Sequence, residues 1–246
     1  MVKKWSFDRF GYLAGVAFPL LAIGGIWLQS TRGEWPGDPR TEIVSTEAIA
    51  DYYTGTVASR YGYLLMFAAV AALVWFVVSM RNRFLRTDPG SRAARVFAGL
   101  GFVMAGSLGI ITALYAGLEQ EDASGTAAEF LRGTFTVEMG FDGFWILAVL
   151  AIPFFLIAAA YAGFRGATPR WLAVLTALAA IPSLVGVFGF PVSEDLGNLL
   201  WVGNLILLGW ALITGVTMAV LGDHVVDLTG SPESVGVPGD ARLTSR

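Results

Sequence analysis

Residues 61–80 read YGYLLMFAAVAALVWFVVSM, and residues 81–86 follow at once as RNRFLR. Twenty residues without Asp, Glu, Lys or Arg match a hydrocarbon core about 30 Å thick, because a helix rises about 1.5 Å per residue. A basic cluster at one end of such a run marks that end as cytoplasmic, since positively charged loops are retained there. Five further uncharged apolar runs occupy residues 11–29, 97–118, 143–164, 171–190 and 198–221. Lipid cannot satisfy free backbone polar groups, and the alternation of a β-barrel is missing, so all six runs are read as helices. The expected fold is all-α: a polytopic bundle of six transmembrane helices within residues 1–222.

Composition agrees. Of 246 residues, 55% are hydrophobic and 14% charged, with a mean hydropathy of +0.65; an ordinary soluble domain has roughly 25% charged residues. A soluble enzyme, a disordered chain and a nucleic-acid binder are excluded, and no basic patch with interleaved aromatics is present. The absence of cysteine removes disulfides, thiolate-bound metals and thiol nucleophiles. A single histidine, His224, removes bis-histidine haem ligation and HExxH zinc chemistry. There is no Walker A sequence, GxSxG, dinucleotide fingerprint or lipidation motif. Neither a cofactor nor a metal is expected.

Alternating the six spans puts Lys3, Lys4, Arg9, Arg81, Arg83, Arg86, Arg92, Arg95, Arg165, Arg170, Arg242 and Arg246 on one side. Only Arg32, Arg40, Arg60 and Arg132 fall on the other, where loops 30–60, 119–142 and 191–197 hold thirteen of the nineteen acids. Both termini are therefore expected in the cytoplasm. Trp5, Phe84, Phe164 and Trp171 read as the inner aromatic belt, and Tyr61, Tyr63, Tyr115, Trp145 and Trp201 as the outer one. The first span is read as retained, being longer than a signal-peptide core and followed by no small-x-small cleavage site. Residues 223–246, polar and rich in turn formers, are expected to be a flexible cytoplasmic tail.

The outer loops read as a partly helical cap. Ser45-Thr46-Glu47 offers a helix start, followed by Ile49, Ala50, Tyr52, Tyr53 and Val57 on one side. Loop 119–142 is similar, with Phe130, Leu131, Phe135 and Val137 among acids. The short connection after residue 164 makes the fourth and fifth spans antiparallel neighbours.

Candidate binding residues gather at the outer boundary: Arg60, Glu119, Glu138 and Asp142. Glu138 and Asp142 share one face if the fourth helix starts early. They read either as paired carboxylates for a cation or acid–base work, or as an interfacial ion-pair cluster with Arg60 or Arg132. Glu119, Glu121 and Asp122 lack EF-hand spacing. Asn204 is the deepest polar group and reads as a substrate contact or as a hydrogen bond to a neighbouring helix. In the third span Gly101, Ala105, Gly109, Ala113 and Gly117 recur every fourth residue, a pattern that lets helix backbones approach closely, within the bundle or between molecules. Pro19, Pro153 and Pro182 lie mid-span.

Two stretches carry a family resemblance. Residues 42–53, EIVSTEAIADYY, lead into the second span with its basic end, and residues 168–175, TPRWLAVL, open the fifth. Together they resemble six-span membrane proteins of high-GC actinobacteria that carry a domain-of-unknown-function label. The resemblance implies a helical bundle in a bacterial plasma membrane and brings no catalytic or binding residues with it.

Three functions remain open. The first is a non-enzymatic accessory or scaffold subunit, whose partners are the lipid bilayer and another membrane protein or a second copy of itself. The second is a carrier or binding protein for a lipid or small apolar molecule. The third is a membrane-interface enzyme using Glu138 and Asp142.

Overall fold

The structure, a computed structural model, describes residues 7–32, 56–118, 127–189, 191–193, 196 and 198–221; for residues 127–142 it describes the helix path alone. Among these residues the chain is helical and contains no strand. Six helices are long and apolar enough to cross a membrane. They are α1 (Phe7–Gln29), α2 (Val57–Thr87), α3 (Arg92–Leu118), α4 (Ala127–Ala162), α5 (Arg170–Gly189) and α6 (Leu199–Leu221). The protein is thus an all-α, multi-pass membrane protein. Residues 45–55 of the predicted surface helix and the tail 223–246 lie outside the described residues, while Val57, expected on that helix, is the first residue of α2.

Each helix packs on the one before and the one after it, and α6 returns to α1, so the six close into a ring. The short link between α4 and α5 does make them neighbours. One end of the ring is basic. There Arg83 near the end of α2 meets both α1 and the α4–α5 connection. At the opposite end the Thr31 and Thr56 hydroxyls lie 3.0 Å apart, joining the turn after α1 (Ser30–Arg32) to the start of α2.

Several helices outrun their apolar stretches. Thr56 caps α2: its hydroxyl accepts the Ser59 N–H at 3.1 Å while Ser59 Oγ accepts the Thr56 N–H at 3.0 Å. This reciprocal pair satisfies two otherwise orphan donors and starts the helix four residues before the apolar run. At its other end α2 continues through the basic run to Thr87. Phe84, expected in the interfacial belt, is consequently buried at 1% exposure, one turn beyond Met80 on the same inward face. Tyr63 likewise points inward rather than to the headgroups. α4 begins at Ala127, so much of loop 119–142 is helix continuous with the fourth span, not a separate surface segment.

Aromatic rings fill the centre. Phe97 stacks on Phe155 with centroids 4.2 Å apart, and Phe84 meets Phe97 edge-on at 5.0 Å. Trp210 is edge-on to both Phe155 (5.4 Å) and Phe76 (5.8 Å). Offset and edge-to-face contacts suit the ring quadrupole. They join α2, α3, α4 and α6 across the middle of the ring. The Trp210 indole N–H donates to Thr176 Oγ1 at 2.8 Å, and that hydroxyl donates to the Leu172 carbonyl of its own helix at 2.7 Å.

Candidate functional site

Of the residues singled out as candidate binding residues, the structure describes the side chains of Arg60 and Asn204. Arg60 is exposed one turn into α2 and has no ion-pair partner among the described residues. Glu119 lies outside the described residues. Glu138 and Asp142 both fall on α4, four residues apart on a continuous helix, which places them one turn from each other; their side chains are outside the description. Asn204 turns back on its own helix, its amide donating to the Leu200 carbonyl at 3.2 Å. Among the described residues no three His, Cys, Asp or Glu side chains come together as a metal site would require.

The small-residue stripe of α3 divides along its length. A methyl group on Gly101 would sit 2.7 Å from the Val77 side chain and 3.2 Å from the Phe155 ring, and Ala105 is buried. At Gly109 the same methyl would make ordinary contact with Val70 at 3.7 Å. Ala113 and Gly117 are exposed, and nothing lies within 4 Å of a methyl on Gly117. The division follows from helix geometry. At 3.6 residues per turn, each four-residue step turns the position by about 40°, so a fourth-residue stripe winds from the inside of a bundle to its outside. A seven-residue step drifts only about 20°. Gly99, Gly106 and Ala113 are spaced by seven, and all three are exposed on the outer surface of α3. Methyl groups on Gly99 and Gly106 would also meet nothing within 4 Å. The seven-residue pattern is written in the sequence and was masked by the more conspicuous fourth-residue one.

The residue that sequence reasoning missed most plainly is Arg83. It counts as one charge among many at the basic end, yet it is only 4% exposed. Its Nε donates to the Ala167 carbonyl at 2.6 Å, and its guanidinium carbon lies 6.0 Å from the centroid of the Tyr12 ring. A buried cation is tolerated only when its donors are used. The acceptor is offered by a wide helical turn, Gly163–Ala167, that ends α4; within it Gly166 has φ of +97°, a conformation that favours glycine. Such π-type turns free a carbonyl from the regular ladder. Extending the inward face of α2 from Phe76 and Met80 by one turn reaches Arg83, and that is the signal that identifies it.

Among the described residues three hydroxyls are buried without a hydrogen-bond partner: those of Tyr12 on α1, Ser183 on α5 and Thr214 on α6. No protein-family model, curated protein or solved structure matches the chain. The functional reading therefore rests on this geometry.

Proposed function

We propose that the protein is a non-enzymatic accessory or scaffold subunit of a bacterial plasma membrane, oriented with both termini in the cytoplasm, and that it works by packing against another membrane helix. The observation that carries this reading is the outer surface of α3. Exposed positions within the spans of α1, α5 and α6 are large: Leu20, Ile23, Ile26 and Trp27 on α1; Leu178, Ile181 and Phe188 on α5; Leu205, Val216 and Val220 on α6. On α3 that surface instead carries Gly99, Gly106, Ala113 and Gly117, beside Phe102, Val103 and Ile110. Lipid tails are as apolar as leucine, so helices associate in membranes through close van der Waals packing, for which small residues clear the way. Gly also lowers helix stability, by about 1 kcal/mol relative to Ala. The aromatic cluster across the ring supports a structural role for the interior.

Native mass spectrometry of protein extracted gently at its natural expression level tests the proposal. The expected result is a stoichiometric companion, either a second membrane protein or a second copy of this chain, that Gly106→Leu releases while the monomer stays folded. A bare monomer from wild-type membranes overturns it. A retained apolar small molecule without a companion favours the carrier reading.

A further inference from the structure

The connection between α4 and α5 is held rigidly in its middle and exposed on its flanks. Ala167 and Thr168 are buried, with the Ala167 carbonyl bound by Arg83. Tyr161, Phe164, Arg165, Arg170 and Trp171 on either side are exposed. Gly166 lies against the end of α2, where a methyl group on it would be 3.9 Å from the Thr87 side chain. The Arg165 guanidinium carbon stands 5.9 Å from the centre of the Tyr161 ring. Arg170 has no partner among the described residues. No Asp or Glu occurs between residues 143 and 189, so this hairpin carries no acid to neutralise its two arginines. The nearby acid on the α2–α3 link, Asp88, accepts the Gly90 N–H at 3.2 Å and forms no ion pair among the described residues.

We propose that this connection binds the phosphate of an anionic phospholipid. Arg165 and Arg170 supply the charge, and Phe164 and Trp171 flank the glycerol and upper acyl region. Guanidinium groups match phosphate oxygens with paired N–H donors, which lysine does not reproduce. Basic residues between transmembrane helices recognise anionic headgroups, and amphipathic aromatic rings settle at the same depth. The pairing of charge with exposed aromatics on one short link selects a lipid over a free anion: inorganic phosphate has no apolar part for Phe164 and Trp171 to cover. The bond from buried Arg83 keeps the link in one conformation, so binding does not have to order it.

Delipidated protein titrated with phosphatidylglycerol, phosphatidylcholine or inorganic phosphate, and read by native mass spectrometry, tests the proposal. Phosphatidylglycerol is expected to form discrete adducts that phosphatidylcholine does not. Replacing both arginines (Arg165→Gln with Arg170→Gln) is expected to weaken them about twenty-five-fold, at an effect of about fivefold per arginine. Arg60→Gln, at the opposite end, leaves them unchanged. Equal adducts with both lipids, or adducts indifferent to the double substitution, overturn the proposal. Competition by inorganic phosphate at the same concentration as the lipid also overturns it, in favour of a free-anion site. A melting temperature unchanged in the double variant excludes misfolding as the cause of any loss.

Discussion

Two glycine-bearing surfaces of this bundle use the same residue type to opposite ends. Along the seam of α1 with α2 and α6, glycine is where backbones touch. A methyl on Gly25 would sit 2.9 Å from the Gly62 carbonyl oxygen, and one on Gly62 2.8 Å from the Gly25 carbonyl oxygen. Gly215 of α6 faces the backbone of Tyr12, Gly15 and Val16 at 2.8–2.9 Å, and Gly11 is filled against Ser79. On the outer surface of α3, Gly99, Gly106 and Gly117 face open space. The first seam has already spent its close approach on the protein's own helices; the second still offers it. Glycine in a membrane helix thus marks a contact only once the position around the helix is known.

The sharpest way to break this comparison is to fill both surfaces with the same side chain. Gly215→Leu is expected to cost about 3 kcal/mol or to prevent folding, because backbone atoms cannot move aside as a flexible side chain does. A melt in mild detergent that matched wild type would show that the α1–α6 seam is not close-packed. Next in size is Arg83→Gln. Losing a charged donor to the Ala167 carbonyl at a buried site is expected to lower stability by about 2 kcal/mol, with faster hydrogen exchange or proteolysis at residues 163–168. Loss of stability without local loosening there would place the role of Arg83 elsewhere. Trp210→Phe keeps an aromatic ring but removes the donor to Thr176 and part of the buried indole, and a loss of about 1–2 kcal/mol is expected. Thr176→Val in the same background should then add little, because the bond is already gone. The open surface is expected to lose nothing: Gly106→Leu should leave monomer stability intact or raise it by up to about 0.8 kcal/mol, the margin by which Leu exceeds Gly in helix propensity. A large loss there would mean that α3 is packed on that side after all.

The legibility of these features in the sequence varied with their physical origin. Residues 61–80 announce a spanning helix because length and the exclusion of charge are properties of a segment alone. The neighbouring Arg83 did not announce its burial, since its position depends on how far α2 continues and on which face meets α1. Asn204 was legible as a polar residue inside the sixth span, but its partner, the Leu200 carbonyl one turn away, depends on a rotamer. For α3, the fourth-residue stripe was visible while its winding from inside to outside was not, although 3.6 residues per turn implies it.

Six helices and an all-α membrane class are determined by the sequence by itself, because the bilayer imposes one-dimensional rules of length, charge and backbone satisfaction on every segment. Only the tertiary structure decided which glycines are contacts and which are open, that Phe84 and Tyr63 point inward, and that one arginine of the basic end is a buried tie to the α4–α5 turn. Those outcomes depend on the rotation of each helix about its axis. That rotation is set by all its neighbours at once and written in no single segment.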